Sequence, residues 1–279
     1  MRIATVILIY GKSPNLEECL ASLKSAKHPG IDNKIIVVDN SKDNTGYSGG
    51  NNRGIYQALA GGAEAVLILN DDTKIDKSFI SEMVKALSDK EAGLIAPKIY
   101  FYSGFEFHKD RYKPKELGKV IWYAGGMIDW DNCLGVHRGV DEIDAGQYQR
   151  KEETGFATGC AVLIKREVFE KIGLYNEEYF LYLEDLDFSV RASRAGFKII
   201  YQPGAVVWHK NAQSGGFGSG IHDYFFTRNR LLFGLKYASV KTKFALVRES
   251  IRVFLRGNSW KRKGVIDFYL RKFGKGSWK

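Results

Sequence analysis

Two adjacent carboxylates, Asp71 and Asp72, follow Asn70 directly after the apolar run Ala65–Leu69. Like charges held side by side must be solvated, paired or bound to a cation, and hard oxygen ligands suit Mg²⁺ or Mn²⁺. Read alone, the turn fits a helix N-cap equally well, with Asp72 or Thr73 leading into a helix near Lys77. Asp39, followed by Asn40 and Ser41, ends a second apolar run, where a carboxylate commonly meets a ribose hydroxyl or a base edge. An Asx turn leaving the strand accounts for it as readily. The segment Gly49-Gly50-Asn51-Asn52-Arg53-Gly54 offers flexible backbone near a helix start, a fair place for a nucleotide or diphosphate, although glycine-rich loops are common.

Glu184, Asp185 and Asp187 fall in the first turn of a predicted helix, where acids complement the dipole with no further role. Asp187 has Arg191 four residues on and is discounted as a helix pair. Glu184 and Asp185 lack such a partner, and a carboxylate facing a cleft can take a proton from an attacking alcohol. His209 ends the run Ala205–Trp208. A lone histidine is more often structural, but a strand end shared with the acids favours a metal ligand. His28, His108, His137 and His222 have no comparable context.

The elements that must position these groups alternate. Strands are predicted at 3–9, 34–38, 65–69 and 93–96, with helices at 15–27, 51–60 and 77–87 between them, because apolar positions switch between strand and helix periods. Such alternation means an α/β fold with a mostly parallel sheet covered on both faces. Ligands then bind beyond the carboxyl ends of the strands, which carry Tyr10-Gly11, Asp39-Asn40 and Asn70-Asp71-Asp72. After Pro97 the rhythm breaks, and residues 98–157 read as hairpins and loops over the sheet edge. A strand at 160–164, helices at 165–172 and 184–195 stopped by Gly173 and Gly196, and two strands at 198–201 and 205–208 separated by Pro203-Gly204 follow. Residues 211–220 read as a Gly/Ser loop.

The net charge of +10 over 279 residues is uneven. Thirteen Lys or Arg against Glu249 and Asp267 give residues 236–279 a net +11, leaving the preceding body at −1. Phe244, Val247, Ile251 and Phe254 fall on one helix face, and Arg248, Arg252 and Arg256 on another. A basic amphipathic helix suits an anionic membrane surface; packing on the body with its charges solvated is the alternative. No recognisable module accompanies the charge, so nucleic acid is disfavoured. Cys19, Cys133 and Cys160 form no CxxC pair, which argues against a disulfide framework or thiolate zinc site and fits a reducing compartment. The short β-branched start lacks the marks of a signal peptide, and no apolar stretch is long enough to span a bilayer. A cytoplasmic protein, peripheral at the inner face of the membrane, is expected.

Taken in order, Val38-Asp39-Asn40-Ser41, Gly49 to Gly54, Leu69 to Thr73, Thr158-Gly159-Cys160-Ala161, Phe180 to Asp187, Trp208-His209-Lys210 and Arg228-Asn229-Arg230 resemble the family 2 glycosyltransferases of GT-A fold, particularly their rhamnosyltransferase-like branch. The resemblance covers about residues 1–235: a nucleotide-sugar-binding half, 1–97, and an acceptor-binding and catalytic half, 98–235, with the basic helical tail at 236–279 beyond. It implies an inverting transfer of a sugar from a dTDP- or UDP-linked donor to a hydroxyl of a glycan or lipid-linked glycan. It places Asp39 at the base, with Tyr10, Asn40, Gly50 and Asn51 lining the nucleotide pocket. Asn70 and Asp71 lie at the diphosphate, and Asp72 and His209 on a divalent cation. Asp185 is implied as general base with Glu184 beside it, and Arg228 at the diphosphate. Asn70 departs from the family's DxD motif. A sugar nucleotidyltransferase would need a Gly-rich basic loop where Tyr10-Gly11-Lys12-Ser13-Pro14 stands. A dehydrogenase would need GxGxxG after the first strand. An inactive nucleotide-sugar-binding or scaffolding subunit is disfavoured by Asp72, Asp185 and His209 occurring together.

Overall fold

The computed structural model describes residues 1–210, 216 and 218–278; most of the expected Gly/Ser loop, residues 211–215 and 217, lies outside them. Strands β1 (Arg2–Ile9), β2 (Asp32–Asp39) and β3 (Ala65–Leu69) pair in parallel, with β1 in the centre. Helices α1 (Leu16–Ser25) and α2 (Gly46–Ala60) make the crossovers. β3 is buried throughout, as a short continuous apolar run requires when both faces of a sheet are covered. A short strand β4 (Thr73–Ile75) and helix α3 (Phe79–Ala86) lead to β5 (Ala92–Phe101).

The remaining strands complete a mixed sheet. β6 (Ile121–Tyr123) pairs with β5, and β7 (Gly126–Asp129) and β8 (Leu134–His137) form a separate hairpin. β9 (Glu152–Glu153) is followed by β10 (Ala161–Lys165), which inserts antiparallel between β3 and β5. Helices α4 (Arg166–Ile172) and α5 (Glu184–Arg194) precede β11 (Lys198–His209). The main path is β2-β1-β3-β10-β5-β11-β4, with five of its seven strands running one way. This is the expected α/β architecture.

Three boundaries differ from the sequence reading for identifiable reasons. β5 continues through Pro97 to Phe101. Proline is tolerated there because it falls beyond the last β10 pair, at Ile95, and before the first β6 pair, at Ile99. Pro203-Gly204 does not separate two strands; it sits in a register shift between Gln202 and Val206 within the single strand β11. The glycines after Tyr47 lie inside α2 and not in a loop before it. A Cβ on Gly50 would approach Leu8 Cδ1 to 2.4 Å, and one on Gly54 would reach Val6 Cγ1 at 2.3 Å. Glycine here lets the helix lie close against β1.

Three further helices follow: α6 (Gly220–Tyr237), α7 (Val240–Arg256) and α8 (Ser259–Tyr269). Ser219, Ser239 and Asn258 cap them, accepting from His222 N, Thr242 N and Lys261 N. Among the described residues no helix is long and apolar enough to cross a membrane.

Candidate active site

The acidic turn is not a helix cap. Thr73 opens β4, and α3 starts only at Phe79, behind an Asx turn in which Asp76 Oδ1 accepts from Ser78 N and Oγ. The turn is instead pinned where β3 ends. Asn70 N donates to Cys160 O at 2.9 Å, and Thr73 Oγ1 donates back to Asn70 O at 2.7 Å. Antiparallel pairing of β4 with β11 sets His209 opposite Thr73 and brings His209 Nε2 to 3.1 Å from Asp72 Oδ1. Both residues are buried. Burial alone would lower the His209 pKa, but Cys160 and Asp72 beside the ring outweigh it and hold it above the usual value. Burial, then neighbouring Asp72, raises the Asp71 carboxyl.

This pair fits a divalent ion. Two adjacent ligands on an octahedral ion with bonds of 2.0–2.1 Å lie roughly 3 Å apart, which is the spacing found. Among the described residues no group of three or more His, Cys, Asp or Glu side chains that could hold a metal ion is found. Asp72 and His209 are the residues that could hold such an ion, with the other positions left for phosphate and water oxygens, the usual arrangement for Mg²⁺.

Trp122, on β6, covers this pair. Its ring lies 4.8 Å from that of His209 and 4.5 Å from that of His137, both edge-on. Burial pushes His137 down to about 4, so it is neutral and donates from Nδ1 to Trp122 O. Sequence reading passed over both residues, because only the β5–β6 pairing and the β7–β8 hairpin bring them to His209.

The second centre lies at the start of α5. Asp185 Oδ2 accepts from Gly159 N at 3.0 Å, and its Oδ1 accepts from Leu186 N at 2.8 Å. Tyr47 Oη donates to Gly159 O at 2.5 Å. Gly159 thus binds the Asp185 carboxylate and the next residue, Cys160, binds the acidic turn. The two carboxylate centres are joined by adjacent residues entering β10. Burial raises the pKa of both Glu184 and Asp185, and the Asp185 charge adds to the effect on Glu184. Glu184 is buried while Asp185 is partly exposed, so Asp185 is the more accessible of the two carboxylates. Asp187 is held by Arg191 Nε at 2.7 Å, Lys236 Nζ at 3.0 Å and Tyr237 Oη at 2.7 Å, in keeping with its being discounted.

A raised folded-state pKa means that ionised Glu184 opposes folding. That penalty is absent below the unfolded pKa and grows as pH rises toward the folded value. Glu184→Gln is therefore expected to raise the melting temperature at neutral pH by a few degrees, at about 2–4 °C per kcal/mol for a domain of this size. The gain should vanish on acidification to about pH 4. Thermal unfolding across pH checks this; a variant equally destabilised at every pH would refute it.

At the nucleotide end, Tyr10 is exposed at the β1 terminus, and Asp39 Oδ1 accepts from Ser41 N at 2.9 Å and Gly11 N at 3.2 Å. These bonds, Ser41 first, hold the Asp39 carboxyl below the usual range and keep it charged. Three other residues expected at the nucleotide are engaged within the protein itself. Asn40 is buried, and its amide is used on Gly46 O, Thr45 and Arg53, so it shapes the loop into α2. Gly50 faces Leu8 and serves packing. Arg228 is wholly buried, with its donors on Asn229 Oδ1 and on the carbonyls of Glu178, Tyr179, Lys272 and Gly274, so it is not available to a diphosphate. Asn51 donates to Tyr47 O and keeps Oδ1 without a hydrogen-bond partner among the described residues.

Residues 2–230 match the family described as "Glycosyltransferase like family 2". The chain belongs to that family. The low-salt glycan biosynthesis hexosyltransferase Agl10 of Haloferax volcanii is 30% identical to this family 2 chain over 166 residues, covering 59% of it and 48% of Agl10. The N-acetylglucosaminyl-diphospho-decaprenol L-rhamnosyltransferase of Mycobacterium tuberculosis is 27% identical over 252 residues, covering 78% of each. The chain thus spans about half the length of the first relative. GalNAc-T7, solved with UDP, GalNAc and Mn²⁺, has a TM-score of 0.58 at 14% identity, over 96% of this chain and 58% of that one. The mannosyltransferase PcManGT from Pyrobaculum calidifontis, solved with GDP-Man and Mn²⁺, has a TM-score of 0.54 at 12% identity, over 96% of this chain and 74% of that one. The likenesses to these two solved structures establish the GT-A fold for this chain.

Proposed function

We propose that the chain is an inverting, divalent-cation-dependent hexosyltransferase acting in the synthesis of a surface polysaccharide. It would move a sugar from a dTDP- or UDP-linked donor to a hydroxyl of a glycan or lipid-linked glycan. The observation that carries this reading is the buried Asp72–His209 pair at 3.1 Å, tied through Cys160 and Gly159 to the accessible carboxylate Asp185. Asp39 and Tyr10 receive the nucleoside, and Asn70, Asp71 and Asn51 line the path toward the diphosphate. A bound divalent ion supplies charge neutralisation for the departing diphosphate. Asp185 accepts the proton of the acceptor hydroxyl as its oxygen bonds to the anomeric carbon from the face opposite the leaving group, which inverts the configuration. Gly159 N and Leu186 N hold the carboxylate in place for that transfer. The naming of the mycobacterial relative for a diphospho-decaprenol acceptor supports a lipid-linked acceptor here.

Attachment to the inner face of the membrane belongs to the same proposal. The α7 face predicted from the sequence is unpacked: Phe244, Val247, Ile251 and Phe254 are exposed, whereas Thr242, Leu246 and Ser250 are buried. Val247, Ile251 and Phe254 of this face, with Ile266 and Tyr269 of α8 and Leu270 just beyond it, line an apolar groove of about 540 Å³. Both acids of the tail are engaged, Glu249 by Arg230 and Asp267 by Tyr224 and Ser277, which leaves the surface basic. Flotation with phosphatidylglycerol vesicles tests this: Ile251→Asp with Phe254→Asp should lose binding, and retention would refute it.

A thermal-shift screen of dTDP-rhamnose, UDP-glucose and UDP-N-acetylglucosamine with Mn²⁺ tests the donor reading. A donor at 100 times its dissociation constant adds about 2.7 kcal/mol, a shift that should shrink in EDTA. No shift with any nucleotide-sugar would overturn the reading.

A further inference from the structure

The loop that delivers Asp185 is held in a backbone that its own residues disfavour. Phe180, Tyr182 and Leu183 have φ of 63°, 70° and 71°, immediately before Glu184 and Asp185. Non-glycine residues adopt this left-handed region at a cost and persist there only when the surroundings over-determine them. The surroundings here are two adjacent side chains of α6. Asn229 Nδ2 donates to Tyr179 O and Leu181 O at 2.8 Å and to Tyr182 O at 2.9 Å. Arg228 Nη2 donates to Glu178 O and Tyr179 O, both at 3.0 Å, and its Nε donates to Asn229 Oδ1, which fixes the orientation of the amide. Both side chains are fully buried.

The same guanidinium reaches the last described stretch of chain. Arg228 Nη1 donates to Gly274 O at 2.7 Å, and Gly274 N donates to Glu178 O at 2.9 Å. Asp267, bonded to Tyr224, accepts from Ser277 N and Oγ, and Trp278 packs on Tyr224, Phe225 and Trp260. Phe225 in turn stacks on Phe180 at 4.9 Å.

We infer that Arg228 and Asn229 are positioning residues for Asp185, and that residues 272–278 are a working part of the same clasp. This rests on Asp185 being the base. The basic tail then has a second task besides attachment, since its final turns brace the loop from which the base projects.

Asn229→Asp and Gly276→Ala test the clasp in the full chain from opposite ends. The first is nearly isosteric and keeps the acceptor for Arg228 Nε but removes the N–H donors to the loop. The second leaves Asn229 untouched, yet its Cβ would lie 2.2 Å from Tyr224 Oη and 2.9 Å from Arg228 Nη1. Hydrogen exchange should quicken by roughly tenfold or more at residues 178–186 in each variant, with the β1–β3 sheet unchanged, because loss of the clasp opens the loop locally. Turnover should fall roughly 100-fold with donor KM little altered, the cost of a misplacement of about 1 Å at a reacting group. Unchanged exchange at 178–186 in both variants would overturn the inference. So would uniform destabilisation with KM and kcat affected alike, since that marks a merely structural role. Should Asp185→Asn prove fully active, the base reading falls while the exchange result stands, so the two failures are distinguishable.

Discussion

Asp185→Asn is expected to lower turnover by about 10²–10⁴-fold, the range for loss of a positioned general base, while nucleotide binding survives. The carboxylate uses its two oxygens separately, Oδ1 on Leu186 N and Oδ2 on Gly159 N. An amide has one acceptor, so one of these bonds is lost, a net cost of about 1 kcal/mol. Removing a buried negative charge offsets it, because burial already disfavours ionised Asp185. The variant should therefore fold, and a nucleotide-induced thermal shift equal to wild type would demonstrate intact donor binding. The pH dependence gives a second reading of the same residue. Its raised pKa means that activity fails as pH falls through a value above the ordinary carboxylate pKa of about 4. The residual activity of Asp185→Asn should lack that acidic limb. An active variant with the limb intact would remove Asp185 from the base role.

Most of the sheet was legible because its signals are local. The runs Ile3–Ile9 and Ala65–Leu69 are continuous and apolar, and the amphipathic period of the segments between them allows only crossover helices. Asp39, Asp72, Asp185 and His209 were legible for a related reason, since each stands at the end of a strand or the start of a helix. What the sequence concealed depends on tertiary partners. Helix α6 escaped notice because it is packed by α7 and α8 on top of the body, so buried residues such as Tyr224, Arg228, Leu231 and Phe233 fall around it rather than on one stripe. Gly50 looked like loop flexibility because nothing local records that Leu8 lies against it. Arg228 was placed at the diphosphate only by the family resemblance. Apart from Asn229 Oδ1, its partners in the fold are backbone carbonyls some fifty residues away, which carry no side-chain signature. Trp122 and His137 share that difficulty, as antiparallel register alone brings them to His209.

Asp72→Asn carries the other large expected effect. The substitution keeps the size of the side chain and removes the charge that, with His209, would hold the divalent ion. Wild-type protein should show a larger nucleotide-induced thermal shift in Mn²⁺ than in EDTA, and Asp72→Asn should show the smaller shift in both. Turnover should fall about 10³-fold, equivalent to about 4 kcal/mol of barrier, in line with the several kcal/mol of charge stabilisation that such ions contribute. EDTA should reduce wild-type turnover to a similar level and have little further effect on the variant, since chelation and substitution would remove the same contribution. His209→Ala should lose less, because the carboxylate supplies the charge and the imidazole only a neutral ligand once a metal displaces its proton. Asn70 makes the experiment informative. The turn's first position offers an amide where a DxD motif has a carboxylate, so Asp72 carries the anionic contact more nearly alone. If Asp72→Asn remained responsive to Mn²⁺, Asp71 would have to be the ligand. If wild-type turnover ignored EDTA altogether, the buried Asp72–His209 pair would instead be a proton-sharing strut between β4 and β11.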